Sequence, residues 1–233
     1  SGGSAAFMTH TRDLSVVSPG RIHYGEGLKL QADLVKKRRA GEIDDTLVVL
    51  EHPHVITLGS SSDVAHILVD DEERARKGID LHKAGRGGDV TYHGPGQLVV
   101  YPILDLKPDR RDLHRYMRDL EAVLIGTAAD YGIEAERDEA GTGVWTNAGK
   151  LAAIGIRVSS GWITSHGIAL NVDTELRYFD TIVPCGIPDR AVTSLERELG
   201  FAPSLSEVSE TLIRNFCRVF GHRSSSGELA GPW

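Results

Sequence analysis

Five glycines fall within residues 85–97 (GRGGDVTYHGPGQ), and an apolar run over 97–106 follows at once. Glycine loses more backbone freedom on ordering than any other residue, so such density is costly inside a helix or strand. It belongs where the chain takes unusual dihedrals or comes close to something, here just ahead of a buried strand. The segment is not a phosphate loop, because no Gly-Lys-Ser/Thr follows. Nor is it a dinucleotide fingerprint, because Gly85-Arg86-Gly87 lacks a third glycine three residues on. A tight structural turn and a ligand-contacting loop both stay open on spacing alone.

Around this segment helical and strand periods mix without strict alternation. Residues 14–17 read as a first strand. Tyr24, Leu28, Gln31 and Val35 predict a helix over 24–39, and Lys36, Lys37, Arg38 and Arg39 suit its negative C-terminal pole. Residues 46–50 and 55–58 are rich in β-branched side chains and predict strands. Residues 70–77 predict a short charged helix. The run 97–106 predicts a buried strand whose Pro102 asks for an edge position or a bulge. Asp112 can cap a helix carrying Leu113, Tyr116, Leu120, Val123, Leu124 and Tyr131. Residues 150–158 and 163–172, parted by Ser159-Ser160-Gly161, predict a hairpin. Ser204 and Glu207 form a capping-box pattern for a last helix that Gly221 stops. The expected class is α+β: a mixed, mainly antiparallel β-sheet flanked by α-helices in one domain.

A net charge of −7 argues against binding nucleic acid or an anionic membrane. No apolar run approaches the roughly 18 residues of a membrane span. The two cysteines form no disulfide framework, and both are expected as thiols in a reducing cytoplasm. Residues 1–7, ahead of Met8, read as a cloning remnant. The domain is expected over 8–222, with 223–233 a flexible tail.

Cys185 stands between Pro184 and Gly186, with Pro188 close behind. That is loop composition, where a packing role is less natural than a reactive one, and an accessible thiolate is a strong nucleophile. Lys150 opens a strand of small and apolar residues. An ammonium near a thiol favours the thiolate, although a solvated strand-end lysine is the plainer reading. In the stretch Ser165-His166-Gly167-Ile168-Ala169-Leu170-Asn171, Gly167 and Ala169 leave one face nearly bare, with room for a ligand or for a packed helix. His52 and His54 have no carboxylate or cysteine at ligand spacing, so no metal is expected. His66 and Asp70 match a His-x-x-x-Asp acyltransferase pattern that is too short to carry weight.

These motifs together closely resemble the lipoyl(octanoyl) transferase family. In this chain its signature reads Arg86-Gly87-Gly88, then Thr91-Tyr92-His93-Gly94-Pro95-Gly96-Gln97, then Lys150 and Ile154-Gly155. It continues with His166-Gly167, Ala169-Leu170-Asn171 and Pro184-Cys185-Gly186. Glu51-His52-Pro53 and Leu58-Gly59 also fit, and His54 stands where the family often has proline or a small residue. The likeness covers about residues 14–199.

The resemblance implies an acyltransferase on the fold shared by biotin and lipoate protein ligases. It would move an octanoyl group from octanoyl-acyl carrier protein to a lysine of lipoyl domains, those of 2-oxoacid dehydrogenase E2 subunits and of glycine cleavage H protein. The acyl group rests on the cysteine matching Cys185, and the lysine matching Lys150 tunes that thiol. Arg86, Gly87, Gly88, Asp89, Val90, Thr91, Tyr92 and His93 match the stretches that line the acyl pocket. So do Ala153, Ile154, Gly155, Gly167, Ile168 and Ala169. His52 and His166 stand as supporting residues. No cofactor is implied, since the donor carries its own phosphopantetheine. Lys83 and Arg86, or Arg110, Arg111, Arg115 and Arg118, are candidates for docking an acidic donor. Leucine at position 167 is expected to shorten the accepted chain, and a monomer is expected. Two other readings are an ATP-dependent lipoate- or octanoate-protein ligase, which needs no cysteine nucleophile, and a non-catalytic module that binds lipoyl domains or acyl chains.

Overall fold

The strand expected after the glycine segment, β6 (Gln97–Ile103), is buried along its whole length and lies inside an eight-stranded sheet. The computed structural model describes residues 11–139, 141–183 and 191–224. Alongside β6 the sheet uses β1 (Arg12–Arg21), β2 (Asp45–Glu51), β7 (Glu136–Asp138), β8 (Gly141–Thr146), β9 (Gly149–Ser159), β10 (Ile163–Asn171) and β11 (His222–Ser224), in the order β11-β1-β2-β6-β10-β9-β8-β7. β1 runs parallel to both its neighbours; the other pairings are antiparallel. A second sheet of β3 (Val55–Leu58), β4 (Asp80–Lys83) and β5 (Val90–His93) has the order β4-β3-β5.

Alternation along the strands sends side chains to two separate cores. On one face Leu47, Val49, Leu98 and Val100 meet Leu120 and Leu124 of α3 (Leu113–Asp130) and Leu212 and Phe216 of α5 (Leu205–Phe220). On the other, Val48, Leu50, Val99, Tyr101 and Ala169 meet Leu34 of α1 (Tyr24–Arg39). Each fully buried aliphatic side chain contributes about 2 kcal/mol. The helix ends are built locally. Asp112 accepts from the Arg115 N–H at 3.0 Å, and Ser204 from the Glu207 N–H at 3.1 Å. Gly221 ends α5 with φ +67°. Two short helices, α2 (Asp71–Arg76) and α4 (Leu195–Leu199), complete the set. No helix among the described residues is long and apolar enough to cross a membrane.

Two expectations need correction. Pro102 is neither at an edge nor in a register-shifting bulge: it sits mid-sheet, opposite Leu47 of β2. The missing N–H is accommodated on the β10 side, where His166 takes φ +56°. There the Thr164 hydroxyl bridges the opening, accepting from the Leu104 N–H at 2.9 Å and donating to the Pro102 carbonyl at 2.7 Å. Second, Arg223 and Ser224 are not tail: they pair with β1 in β11, and residues 225–233 lie outside the described residues. The strands β4, β5, β7, β8 and β11 come in addition to those that the sequence predicts.

A buried carboxylate fastens the edge of the sheet. Asp45 accepts from His222 Nε2 at 2.8 Å, Arg38 Nε at 2.9 Å and the Asp105 N–H at 3.0 Å. Burial alone would raise its pKa, but these donors outweigh it and hold Asp45 at about 2.

Candidate active site

Opposite the α3–α5 face, β9 and β10 form the floor of a slot. Their register sets Gly155 against Gly167 and Ala153 against Ala169, so no large side chain rises from the centre. Gly167 cannot be otherwise: a Cβ there would stand 2.4 Å from the Val100 carbonyl oxygen and 2.6 Å from Pro102 Cδ. The glycine segment forms the roof and clamps onto β9 through the Gly87 N–H, which donates to the Ile156 carbonyl at 2.9 Å. Tyr24 and Tyr101 close the α1 side. The slot has an empty volume of about 550 Å³, its open mouth included.

Arg86, Gly87, Gly88, Asp89, Val90, Thr91 and His93 all line this slot, together with Ala153, Ile154, Gly155, Gly167, Ile168, Ala169, His166 and Lys150. Tyr92 does not. It alternates to the other side of β5, accepts or donates at His54 Nδ1 (2.5 Å), and packs edge-on to Phe179. His52 also stands back from the slot, behind Tyr24 and His93. Cys185 lies in 184–190, outside the described residues.

Lys150 is buried and its ammonium lies 5.2 Å from the centroid of the Trp145 ring. Its backbone is held from both sides: its N–H donates to the Ala191 carbonyl and its carbonyl accepts from the Thr193 N–H, each at 2.9 Å. Gly149 permits this approach, since a Cβ there would meet the Ala191 oxygen at 2.5 Å. The same strand end is tied to the roof by side chains. His93 Nδ1–H donates to Gln97 Oε1 at 2.7 Å, Gln97 Nε2 to Asn171 Oδ1 at 3.0 Å, and Asn171 Nδ2 to the Thr193 carbonyl at 3.1 Å.

The histidines here are neutral imidazoles. Burial lowers His93 to about 3, helped by the neighbouring His52. Burial likewise lowers His52 to about 4 and His166 to about 4, the latter with Arg86 and Arg157 adding to the effect. The tautomer of His52 follows from its partners: Nδ1–H donates to the Ile22 carbonyl and Nε2 accepts from the Tyr101 hydroxyl, both at 2.7 Å. Neutral rings and a bare floor suit an uncharged chain.

Several candidate charges are already committed elsewhere. The Arg86 guanidinium is buried and donates to the Thr57 carbonyl (2.9 Å) and hydroxyl (2.7 Å), so it holds the roof and is no docking residue for an acidic donor. Lys83 is exposed. Arg110, Arg111, Arg115 and Arg118 lie on or just before α3, which packs on the opposite face of the sheet. His66 pairs with the Asp89 carboxylate, not with Asp70, which caps α2 by accepting from the Glu73 N–H at 2.8 Å. The His-x-x-x-Asp pattern therefore forms no unit.

The family model of the lipoyl protein ligase A/B catalytic domain matches residues 23–217. The chain belongs to this family. It is 50% identical over 235 residues to an octanoyltransferase of Acidobacterium capsulatum, across 93% of this chain and 95% of that one. An octanoyltransferase of Rubrobacter xylanophilus is 52% identical over 208 residues, covering 89% and 93%. The fold is similar to that of a bi-partite lipoate protein ligase from Thermoplasma acidophilum, with a TM-score of 0.69, 17% identity, and coverage of 94% and 88%. At that identity the likeness is one of fold, and it agrees with the mixed, mainly antiparallel sheet expected. Within this lipoyl protein ligase A/B chain, sequence reasoning missed Tyr24, Tyr101 and Thr142 as slot residues. Tyr24 and Tyr101 carried only the helix and strand periodicity of core residues, and Thr142 carried no signal.

Proposed function

We propose that this protein is an octanoyltransferase that carries the acyl group as a thioester on Cys185, with Lys150 as its partner. The slot that joins the glycine segment, β9, β10 and Lys150 carries the reading, because it offers a bare apolar channel beside a buried amine. The octanoyltransferases to which the chain is about half identical support it. The donor is an acyl-carrier-protein thioester. The acceptors are lysines on lipoyl domains, such as those of 2-oxoacid dehydrogenase E2 subunits and glycine cleavage H protein. A reducing cytoplasm suits chemistry that needs a free thiol.

In the first half-reaction the Cys185 thiolate attacks the donor carbonyl. The tetrahedral oxyanion collapses, the bond to the phosphopantetheine sulfur breaks, and Lys150 gives that sulfur a proton. In the second, the acceptor amine attacks acyl-Cys185. Lys150, now neutral, takes the amine's proton, and the Cys185 thiolate leaves. Thioester exchange is nearly balanced and amide formation is downhill, so neither step requires ATP or a cofactor. Seven carbons beyond the carbonyl, at ~0.8 kcal/mol per buried CH₂, contribute about 5 kcal/mol before the cost of ordering.

Intact-mass measurement after incubation with octanoyl-carrier protein tests this. An octanoyl adduct that hydroxylamine removes and that Cys185→Ala lacks is expected. Labelling of acceptor from octanoate and ATP that survives Cys185→Ser would instead make the protein a ligase.

A further inference from the structure

We propose that His66, held by Asp89, is the base that takes the first proton from the acceptor lysine, an inference that rests on the acyl reading above. That lysine arrives as an ammonium: with a pKa near 10.4, only about 1 in 2,500 is neutral at pH 7. It has two protons to lose in the second half-reaction. Neutral Lys150 can take only one of them, the proton released on attack. The other must leave beforehand, and imidazole is the side chain that exchanges protons nearest neutrality.

His66 stands just outside the slot, on a single 3-10 turn (Val64–His66) that Asp63 caps by accepting from the Ala65 N–H at 2.9 Å. Its Nδ1–H donates to Asp89 Oδ2, which leaves the lone pair on Nε2. The side chain is 29% exposed, and Nε2 has no hydrogen-bond partner among the described residues. Asp89 lines the slot, and its other oxygen accepts from the Asp63 N–H at 3.0 Å, so the carboxylate is fixed from two sides. The His66 carbonyl accepts from the Val183 N–H at 2.8 Å, and Val183 stands two residues ahead of Cys185. Two residues of chain span at most about 7 Å. Lys150 is tied in the same way to Ala191, beyond that segment. The thiol's segment is thus anchored beside His66 at one end and beside Lys150 at the other. His66 Nε2 takes the ammonium proton, the neutral amine attacks acyl-Cys185, Lys150 takes the second proton, and His66 passes the first to water.

His66→Asn keeps a donor for Asp89 and removes the base. The octanoyl adduct is formed on the full chain from octanoyl-carrier protein, then mixed with lipoyl domain or with hydroxylamine, a nucleophile already neutral at pH 7, and followed by rapid-quench mass spectrometry. The variant should form the adduct within about threefold of the wild-type rate. Its transfer to the lipoyl domain should fall about 100-fold at pH 7 and recover by about tenfold per pH unit up to pH 9, as neutral amine becomes available. Release by hydroxylamine should stay within about twofold. Transfer at the wild-type rate would overturn the proposal and leave the acyl reading standing. So would poor adduct formation, or a slowing that is equal at pH 7 and 9 or equal with hydroxylamine, since each marks a merely structural role. A wild-type chain that takes up no octanoyl group would sink the acyl reading, and this inference with it.

Discussion

The Lys150 N–H donates to the Ala191 carbonyl at 2.9 Å, and Ala191 is the first described residue after the segment that holds Cys185. The strand bearing the amine and the chain emerging from the thiol's segment are thus joined backbone to backbone. The proposed Cys–Lys partnership draws its support from this tie, together with the parallel bridge between Lys150 and Val192.

Lys150→Ala should therefore slow acyl-adduct formation most where the thiol needs help to ionise. An unperturbed thiol with pKa near 8.5 is only about 3% thiolate at pH 7, so losing an ammonium partner should cost roughly 25-fold there. At pH 9 the deficit should shrink to a few-fold. Rapid-quench mass spectrometry at the two pH values decides it; equal slowing at both would point to a positioning role alone.

Chain length should respond at Ala153, not at Gly167 as the sequence led us to expect. A side chain at 167 points into the β6 backbone, so Gly167→Leu should break the sheet, not shorten the slot. Ala153 is partly exposed on the slot floor. Ala153→Leu should leave the melting temperature within a few degrees and favour hexanoyl over octanoyl thioesters by about tenfold or more. Competition between the two thioesters measures this, and an unchanged ratio would contradict it.

Acid should destabilise the fold well above the carboxylate range. His52, His93 and His166 have folded-state values of about 4, 3 and 4, below the unfolded value near 6.5. Between those limits the unfolded chain binds protons that the folded one refuses. The stabilisation is complete above pH 6.5 and falls as pH drops towards about 4. Each buried imidazole contributes up to ~1.4 kcal/mol per pH unit. Asp45, held at about 2, adds a loss of the same sign below about pH 4. Urea midpoints at pH 7.5, 6 and 5 should decline steadily; a flat series would show that the rings can ionise in place.

Asp45→Ala should be the costliest single change outside the slot. It strands the buried His222 and the Arg38 guanidinium, and it leaves the Asp105 N–H without its acceptor. A loss of about 3–5 kcal/mol is expected, near 10 °C in melting temperature for a chain of this size. A drop under ~2 °C would show that the cluster is replaceable.

What the sequence settled by itself was local. Helical spacing located α1, α3 and α5, and Asp112, Ser204 and Gly221 marked helix ends because a cap acts within four residues. The glycine segment and the bare Gly167 and Ala169 marked the slot because side-chain absence is visible in one dimension. Only the tertiary structure decided that Pro102 sits mid-sheet, that Tyr92 turns away and that Arg86 is spent on Thr57. The same holds for Tyr24 walling the slot and for Asp45 reaching His222, 177 residues on. Each of these depends on strand register or on a contact between distant segments. Periodicity says which face a residue takes within its own element, but not which element that face will meet.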